Sequence, residues 1–269
     1  PYITEYEKAE NNLTALNTAF PDQLKKSILQ QAVQGKLVPQ NPNDEPASVL
    51  LERIRAEKQE LIKAGKIKKD KHESVIFRRD NSHYELFNGV ERCIDDEIPF
   101  EIPESWEWCR LGELFSHNTG KALNSSNKGG KMMTYITTSN LYWDRFELDQ
   151  LKRMLFTDSE IDKCTVTKGD LLVCEGGDIG RSAIWNYEYP MRIQNHIHRL
   201  RSYIKLHTKF FYYVLYLYKQ IGMIGGKGIG IQGLSASALH NILLPFPPLN
   251  EQSRIISKIE QTLPILSTL

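Results

Sequence analysis

The chain has 269 residues and a mass of 31.0 kDa, room for one large or two small domains. A hydrophobic share of 41% supports a real core, while a mean hydropathy of -0.42 and the lack of a long apolar run argue against a membrane-spanning helix. The net charge of +1 means that any nucleic-acid surface has to be a local patch.

The chain opens PYITEYEKAENNLTALNTAFPDQLKKSILQQAVQGKLVPQ, in which Tyr6, Leu13, Leu16, Phe20, Leu24 and Ile28 recur at three- and four-residue steps. Over residues 2–20 the apolar stripe is narrow, with Glu5, Lys8, Glu10 and Asn11 on the other faces, the pattern of a coiled-coil seam. Pro21 suits the first turn of a second helix reaching about Gln34, with Gly35 as terminator and Pro39 beyond it. After the turn-rich QNPNDE a third helix is expected. Asp44 or Glu45 caps it, Pro46 starts it, Leu50, Leu51, Ile54, Leu61 and Ile62 line one face, and Gly65 ends it. The basic run KIKKDKHE at 66–73 is either a solvated linker or a phosphate contact through Lys66, Lys68, Lys69 and Lys71. Residues 75–98 read as a loosely patterned arm.

From Trp106 the pattern changes to short strand-like runs: WEWCRL, MTYITTSNL, LLVCE, SAIW and HIHRLRS. A helix is expected over 207–221, HTKFFYYVLYLYKQI. Its aromatics could stack on bases, but consecutive aromatics on a helix point to several faces, so they read as core. GGKGIGIQG, a short helix SASALHN and a strand LLPFP follow. Residues 244–266, LPFPPLNEQSRIISKIEQTLPIL, close the chain with a polar cap at Asn250 and a helix that turns Ile255, Ile256, Ile259 and Leu263 inward. The expected fold class is α+β: one mixed α/β domain with a twisted sheet, flanked by long helices forming an antiparallel coiled coil or bundle.

Catalytic signatures are missing. Gly228-Ile229-Gly230-Ile231-Gln232-Gly233 has the spacing of a dinucleotide fingerprint but does not link a strand to a long helix. Thr119-Gly120-Lys121-Ala122 lacks the rest of a phosphate-binding loop, and no nuclease constellation surrounds Asp170 or Glu175. Cys93, Cys109, Cys164 and Cys174 form no metal pair and suggest no disulfide framework, and residues 1–20 show no signal-peptide pattern, so a cytoplasmic setting is expected. His196 and His198 alternate on a strand and read as a solvent-facing pair. What remains is a set of polar, glycine-rich loops. Lys121, Asn124, Ser125 and Lys128 lie in KALNSSNKGGK, and Thr137, Thr138, Ser139 and Asn140 close a strand. Gly177 and Arg181 belong to the next turn; Asn195, His196, Lys227 and Gln232 complete the set. Arg or Lys can donate to guanine O6/N7 and Asn or Gln can pair with adenine N6/N7, though polar loops are common on any surface.

PPLNEQSRIISKIEQTLP, LKKSILQQAVQGKLVPQ, DEPASVLLERIRAEKQELIKAGKIKK and IPESWEWCRLGELF resemble the specificity subunit of type I restriction-modification systems, in the order that family shows. The resemblance implies a helical conserved region (spacer and docking) at 1–74, one target recognition domain at 75–248, and the start of a second conserved helix at 249–269. That family carries two recognition domains, and Pro264-Ile265 reads on into Pro1-Tyr2-Ile3, so the chain looks like one unit of a tandem repeat cut inside its helical connector. By resemblance it is a non-catalytic subunit that reads one half of a bipartite site in double-stranded DNA. It would hold no cofactor; S-adenosylmethionine is expected in the modification (methyltransferase) subunits that dock on it, and restriction subunits would join them. A two-fold self-dimer through residues 2–20 and 250–266 is expected, with pairing of the same helices inside one chain as the competing outcome. The alternatives are the recognition portion of a fused restriction-methyltransferase and a helical scaffold without DNA binding.

Overall fold

The computed structural model describes residues 2–68, 74–123, 129–225 and 234–266, without the side chains of residues 2–4, 9, 11–19 and 266. Helix α1 spans Tyr2–Val33 as one element and contains Pro21. Two helices were expected, yet the missing Pro21 N–H removes one backbone bond without ending the helix. Gly35, at φ +69, does terminate it: its N–H reaches Ala32 O at 3.2 Å and that of Lys36 reaches Gln31 O at 2.8 Å. A Cβ at Gly35 would also lie 2.4 Å from Pro103 Cγ, so glycine is required there twice over. Helix α2 spans Ala47–Lys63 and ends at Gly65 in the same way. Neither expected cap serves it. Asp44 accepts from Arg254 at 2.6 Å, Glu45 pairs with Arg53, and Ser105 O accepts the Ala47 N–H at 3.1 Å.

The supposed arm at 75–98 is an antiparallel sheet of β1 (Ser74–Arg79), β2 (Ser82–Phe87) and β3 (Val90–Cys93). Its two-residue turns, Asp80-Asn81 and Asn88-Gly89, have positive φ at every central position, the backbone that matches the twist of the flanking strands. Strand β4 (Glu107–Arg110), the single-turn helix α3 (Leu111–Leu114) and β5 (Phe115–Thr119) follow. Next come β6 (Lys131–Tyr135), β7 (Leu141–Tyr142), β8 (Arg145–Phe146), β9 (Lys152–Phe156), α4 (Asp158–Cys164) and β10 (Thr165–Val166). Then β11 (Leu171–Cys174), β12 (Ser182–Ile184), β13 (Met191–Arg192), β14 (Ile197–Ser202) and α5 (Thr208–Gln220) build the centre. Helix α6 (Ala236–His240), β15 (Leu243–Phe246), which pairs with β4, and α7 (Leu249–Leu266) end the described chain. Helix α7 starts one residue ahead of the expected cap, so Asn250 lies inside it.

The central sheet is antiparallel, in the order β12-β11-β14-β5. Leu171 and Val173 face the large core beneath α5, while Leu172 and Cys174 face a second core with Ile136, Trp185 and Ile193. Burial on both faces is why LLVC is a continuous apolar run rather than an alternating one. Phe210, Phe211, Tyr212 and Tyr213 are all buried, as the core reading required. The terminal helices join the same core: Leu29, Ala32 and Val33 of α1 share it with Ile255 and Ile259 of α7. Among the described residues no helix is long and apolar enough to cross a membrane.

Two buried carboxylates tie the parts together. Glu251, in the first turn of α7, accepts from Trp106 Nε1 at 2.9 Å and Gln40 Nε2 at 2.5 Å. Burial raises its carboxyl above the usual range despite those bonds. Glu85 of β2 accepts from Arg110 of β4 through Nε at 2.8 Å and a terminal nitrogen at 2.9 Å, and also from Arg92 and Ser74. Burial alone would push the Glu85 carboxyl up, but the bonds from Arg110, Ser74 and Arg92 outweigh it and bring the carboxyl to about 2. A folded value below the ordinary 4.5 stabilises the fold fully above that pH, and the contribution is lost as pH falls toward about 2. Glu85→Gln should therefore lower stability at neutral pH by ~3–5 kcal/mol, the size of a broken buried pair, and flatten the loss between pH 5 and pH 2. Denaturant unfolding across that range checks both.

Candidate nucleic-acid interface

Strand register decides which loops meet. Cys174 of β11 pairs with Ile197 of β14, and His198 pairs with Thr119 of β5. Ser182 of β12 pairs with Val173. The segments after β5, after β11, before β12 and before β14 thus leave one end of the sheet. Helix α2 meets the opposite end, where Lys58 Nζ lies 5.7 Å from the Tyr203 ring centroid.

Backbone bonds stitch this rim. Lys121 N–H donates to Ile193 O at 3.0 Å, Asn195 N–H to Lys121 O at 3.0 Å, and Glu175 N–H to His196 O at 3.0 Å. Ile136 and Ile193 form an isolated bridge that brings in the 137–140 segment. The approach at Gly120 is close: a Cβ there would lie 2.1 Å from Ile193 O, so only glycine fits. Lys219 Nζ donates to Ile179 O at 2.9 Å, attaching the end of α5 to the same rim.

The candidate residues divide by role. Lys121 is not on an exposed loop. It is buried, and its ammonium donates to Glu160 Oε2 and Leu155 O, each at 2.6 Å. The bond from Lys121 holds the Glu160 carboxyl below its usual range. Thr137 is buried, and Asn140 braces its own turn: Oδ1 accepts from the Thr137 backbone and hydroxyl, and Nδ2 donates to Glu147 O at 3.0 Å. Thr138 is half-buried, while Ser139 is exposed and bonds Thr137 Oγ1 at 2.7 Å. Gly177, at φ +73, is exposed with open space around it. Arg181 is half-buried and donates to Thr138 O at 2.6 Å. Asn195 is half-buried and His196 exposed, with His196 Nδ1 3.5 Å from Glu175 Oε2. Lys66 and Lys68 are exposed beyond α2. Asn124, Ser125, Lys128, Lys227, Gln232, Lys69 and Lys71 lie outside the described residues.

His198 is not solvent-facing with His196. It is fully buried beside His117 and the His240 ring, whose centroid is 4.9 Å from that of His117. His198 Nε2 faces the Leu234 carbonyl at 2.6 Å, which can only accept, so that nitrogen carries the proton. His198 Nδ1 then accepts from His117 Nε2 at 2.8 Å. Burial first, and then the neighbouring His198 and His240, bring the His117 ring down to about 3, so it is neutral at pH 7. Among the described residues no group of three or more His, Cys, Asp or Glu is placed to hold a metal ion.

Residues 103–266 match the family described as type I restriction modification DNA specificity domain. The chain belongs to that family. The chain is 32% identical over 253 residues to the type I restriction enzyme EcoAI specificity subunit of Escherichia coli, covering 90% of this chain and 40% of that protein. It is 49% identical over 96 residues to the EcoEI specificity subunit of Escherichia coli, 36% of this chain and 13% of that protein. The chain thus spans less than half the length of the curated relatives it matches. A solved HsdS subunit from Thermoanaerobacter tengcongensis aligns at 19% identity and a TM-score of 0.49, over 82% of this chain and 50% of that one.

The matched specificity domain contains the whole rim, and Lys121 serves there as scaffold. Lys121→Ala should lower stability by about 1–3 kcal/mol, because Leu155 O and Glu160 lose a charged donor in a buried setting. Chemical denaturation measures the loss; an undiminished midpoint would show that the ammonium contributes nothing to the fold.

Proposed function

We propose that this chain is the DNA-recognition part of a type I restriction-modification specificity subunit and reads one half of a bipartite duplex target. The observation that supports this reading is the convergence, inside the family-matched segment, of several polar loops on one end of a sheet whose inner strand β11 is buried on both faces. A rigid sheet holds donors and acceptors at fixed spacing, which base-edge recognition requires. The base readers are Asn195 and His196 on this rim, with Ser139 and the open backbone at Gly177 beside them. Asn124, Ser125, Lys128, Lys227 and Gln232, outside the described residues, are base-reading candidates from the sequence alone, and Arg181 contacts the DNA from the rim. Lys66, Lys68, Lys69 and Lys71 add sequence-independent attraction to phosphates.

In this reading the chain performs no catalysis. Modification subunits carry S-adenosylmethionine and dock on the terminal helices, and restriction subunits join that assembly. The free thiols of Cys93, Cys109, Cys164 and Cys174 suit a reducing cytoplasm. Methylation-site mapping of assembled complexes tests the reading surface. Asn195→Ala and Gln232→Ala should each relax preference at one base pair, costing ~1–3 kcal/mol on the cognate duplex and little on non-specific DNA. If both variants methylate the parental motif with parental stringency, the rim does not read the bases.

Tyr6 and Phe20 on α1 and Ile265 on α7 are exposed, and in this reading they meet a second chain to give a two-fold dimer with two recognition domains. Light scattering at high micromolar concentration should give the dimer mass. A persistent monomer would leave only the pairing of α1 with α7 inside one chain.

A further inference from the structure

The hairpin of β7 and β8 carries a cluster that the loops do not account for. Tyr142 and Arg145 pair directly across it, and the Arg145 guanidinium lies 4.4 Å from the Tyr142 ring centroid. The Arg181 guanidinium lies 5.2 Å from the same centroid. A ring face attracts a planar cation, and stacking leaves the N–H edge of the guanidinium available for hydrogen bonds.

The platform is fixed from behind. Trp143, the first residue of the turn, packs edge-on against Tyr212 and Tyr216 of α5 at 6.2 and 4.9 Å. Asp144, at φ +59, accepts from Lys209 Nζ at 2.8 and 2.9 Å and donates its N–H to Ser182 O at 3.2 Å. The hairpin backbone that carries Tyr142 therefore cannot shift without displacing aromatic packing and an ion pair.

The charges on the platform are available. Arg181 donates to a carbonyl, a neutral acceptor, and burial pushes the adjacent Cys174 thiol up to about 11, so it too is uncharged at pH 7. Arg145 pairs with Glu147 at 2.8 Å, but both side chains are more than half exposed, at 61% and 51%. Such a pair is worth only ~0–1 kcal/mol and exchanges readily for another oxyanion. Two guanidinium groups close to one ring repel each other, and backbone phosphates bound to them offset that repulsion.

We propose that Tyr142 is a positioning residue that holds Arg145 and Arg181 as a paired contact to the sugar–phosphate backbone of duplex DNA. This rests on the DNA-recognition reading and adds to it a docking point that sets the register of the rim on the duplex without reading sequence. Bidentate guanidinium–phosphate geometry favours arginine over lysine at exposed position 145, while Arg181, half-buried and bonded to Thr138 O, adds its charge beside it.

The test is equilibrium binding of the chain assembled with its modification subunits to cognate and scrambled duplexes over a range of salt concentrations. Arg145→Ala should weaken both duplexes by the same factor and reduce the slope of log K against log salt by about 0.9, one released counterion. Tyr142→Leu changes no charge, yet should weaken both duplexes by about two- to fivefold, the size of an exposed cation–π contact. Tyr142→Phe, which keeps the ring face, should recover that loss. Arg145→Ala should cost less in the Tyr142→Leu background than in the parent chain. An unchanged salt slope in Arg145→Ala, strict additivity of the two changes, or an altered preferred sequence would each overturn the proposal while leaving DNA recognition standing. An assembled parent that binds neither duplex would remove the DNA-recognition reading itself, and this contact with it. Should Tyr142→Leu fail to fold, the exposed Arg145→Ala variant alone still decides through its slope.

Discussion

Strand β11 is buried on both faces, and the rest of the domain is arranged around that constraint. A strand with no solvent face sends its side chains alternately into two cores, so a one-residue slip would exchange both sets at once. Leu171 and Val173 belong under α5, and Leu172 and Cys174 belong with Trp185 and Ile193. Polar function cannot sit on such a strand and is displaced to its ends. One end is closed by α2, α3 and Tyr203. The other gathers the segments around Gly120, Glu175–Arg181 and Asn195–His196, which is where this fold can present donors and acceptors to a duplex.

The terminal helices are structural members of this domain rather than appendages. Glu251, Trp106 and Gln40 come from three distant parts of the sequence and meet in one hydrogen-bonded set. Asp44 and Arg254 close the same junction at 2.6 Å. The C-terminal end of α1 and the N-terminal end of α7 consequently lie together, and their direction relative to the sheet is set by buried groups. Arg110 does the same for the β1–β3 sheet through Glu85. In the proposed reading such junctions matter because whatever docks on the helices must be held at a fixed angle to the DNA.

Charge on the rim is divided by burial. Lys121 and Asn140 are the residue types that read bases, yet each is bonded inward: Lys121 to Glu160 and Leu155, Asn140 to Thr137 and Glu147. The His117–His198 pair beneath the rim is held neutral by its surroundings and links the sheet to Leu234. The groups left open for the proposed DNA contact are those whose inward bonds are weak, such as exposed His196, or whose inward partner is a neutral carbonyl, such as Arg181.

Local chemistry made much of this legible in the sequence. The glycine stops at Gly35 and Gly65, the aromatic helix at Thr208–Gln220, the short α6 and the strand before α7 all follow from periodicity and turn residues acting over a few positions. Asn88-Gly89 carried a strong hairpin signal too, but the flanking strands are so polar that the segment read as an arm; its one buried acid, Glu85, needs Arg110 from another strand. The family was legible for the same reason, since its motifs are runs of adjacent residues. Tertiary structure alone decided which loops share the rim, that Lys121 is scaffold, that His117 meets His198, and that Arg145 and Arg181 stack on one Tyr142 ring. Each of those facts joins residues dozens of positions apart through strand pairing, or depends on burial by a second element, and neither is encoded in a local window of sequence.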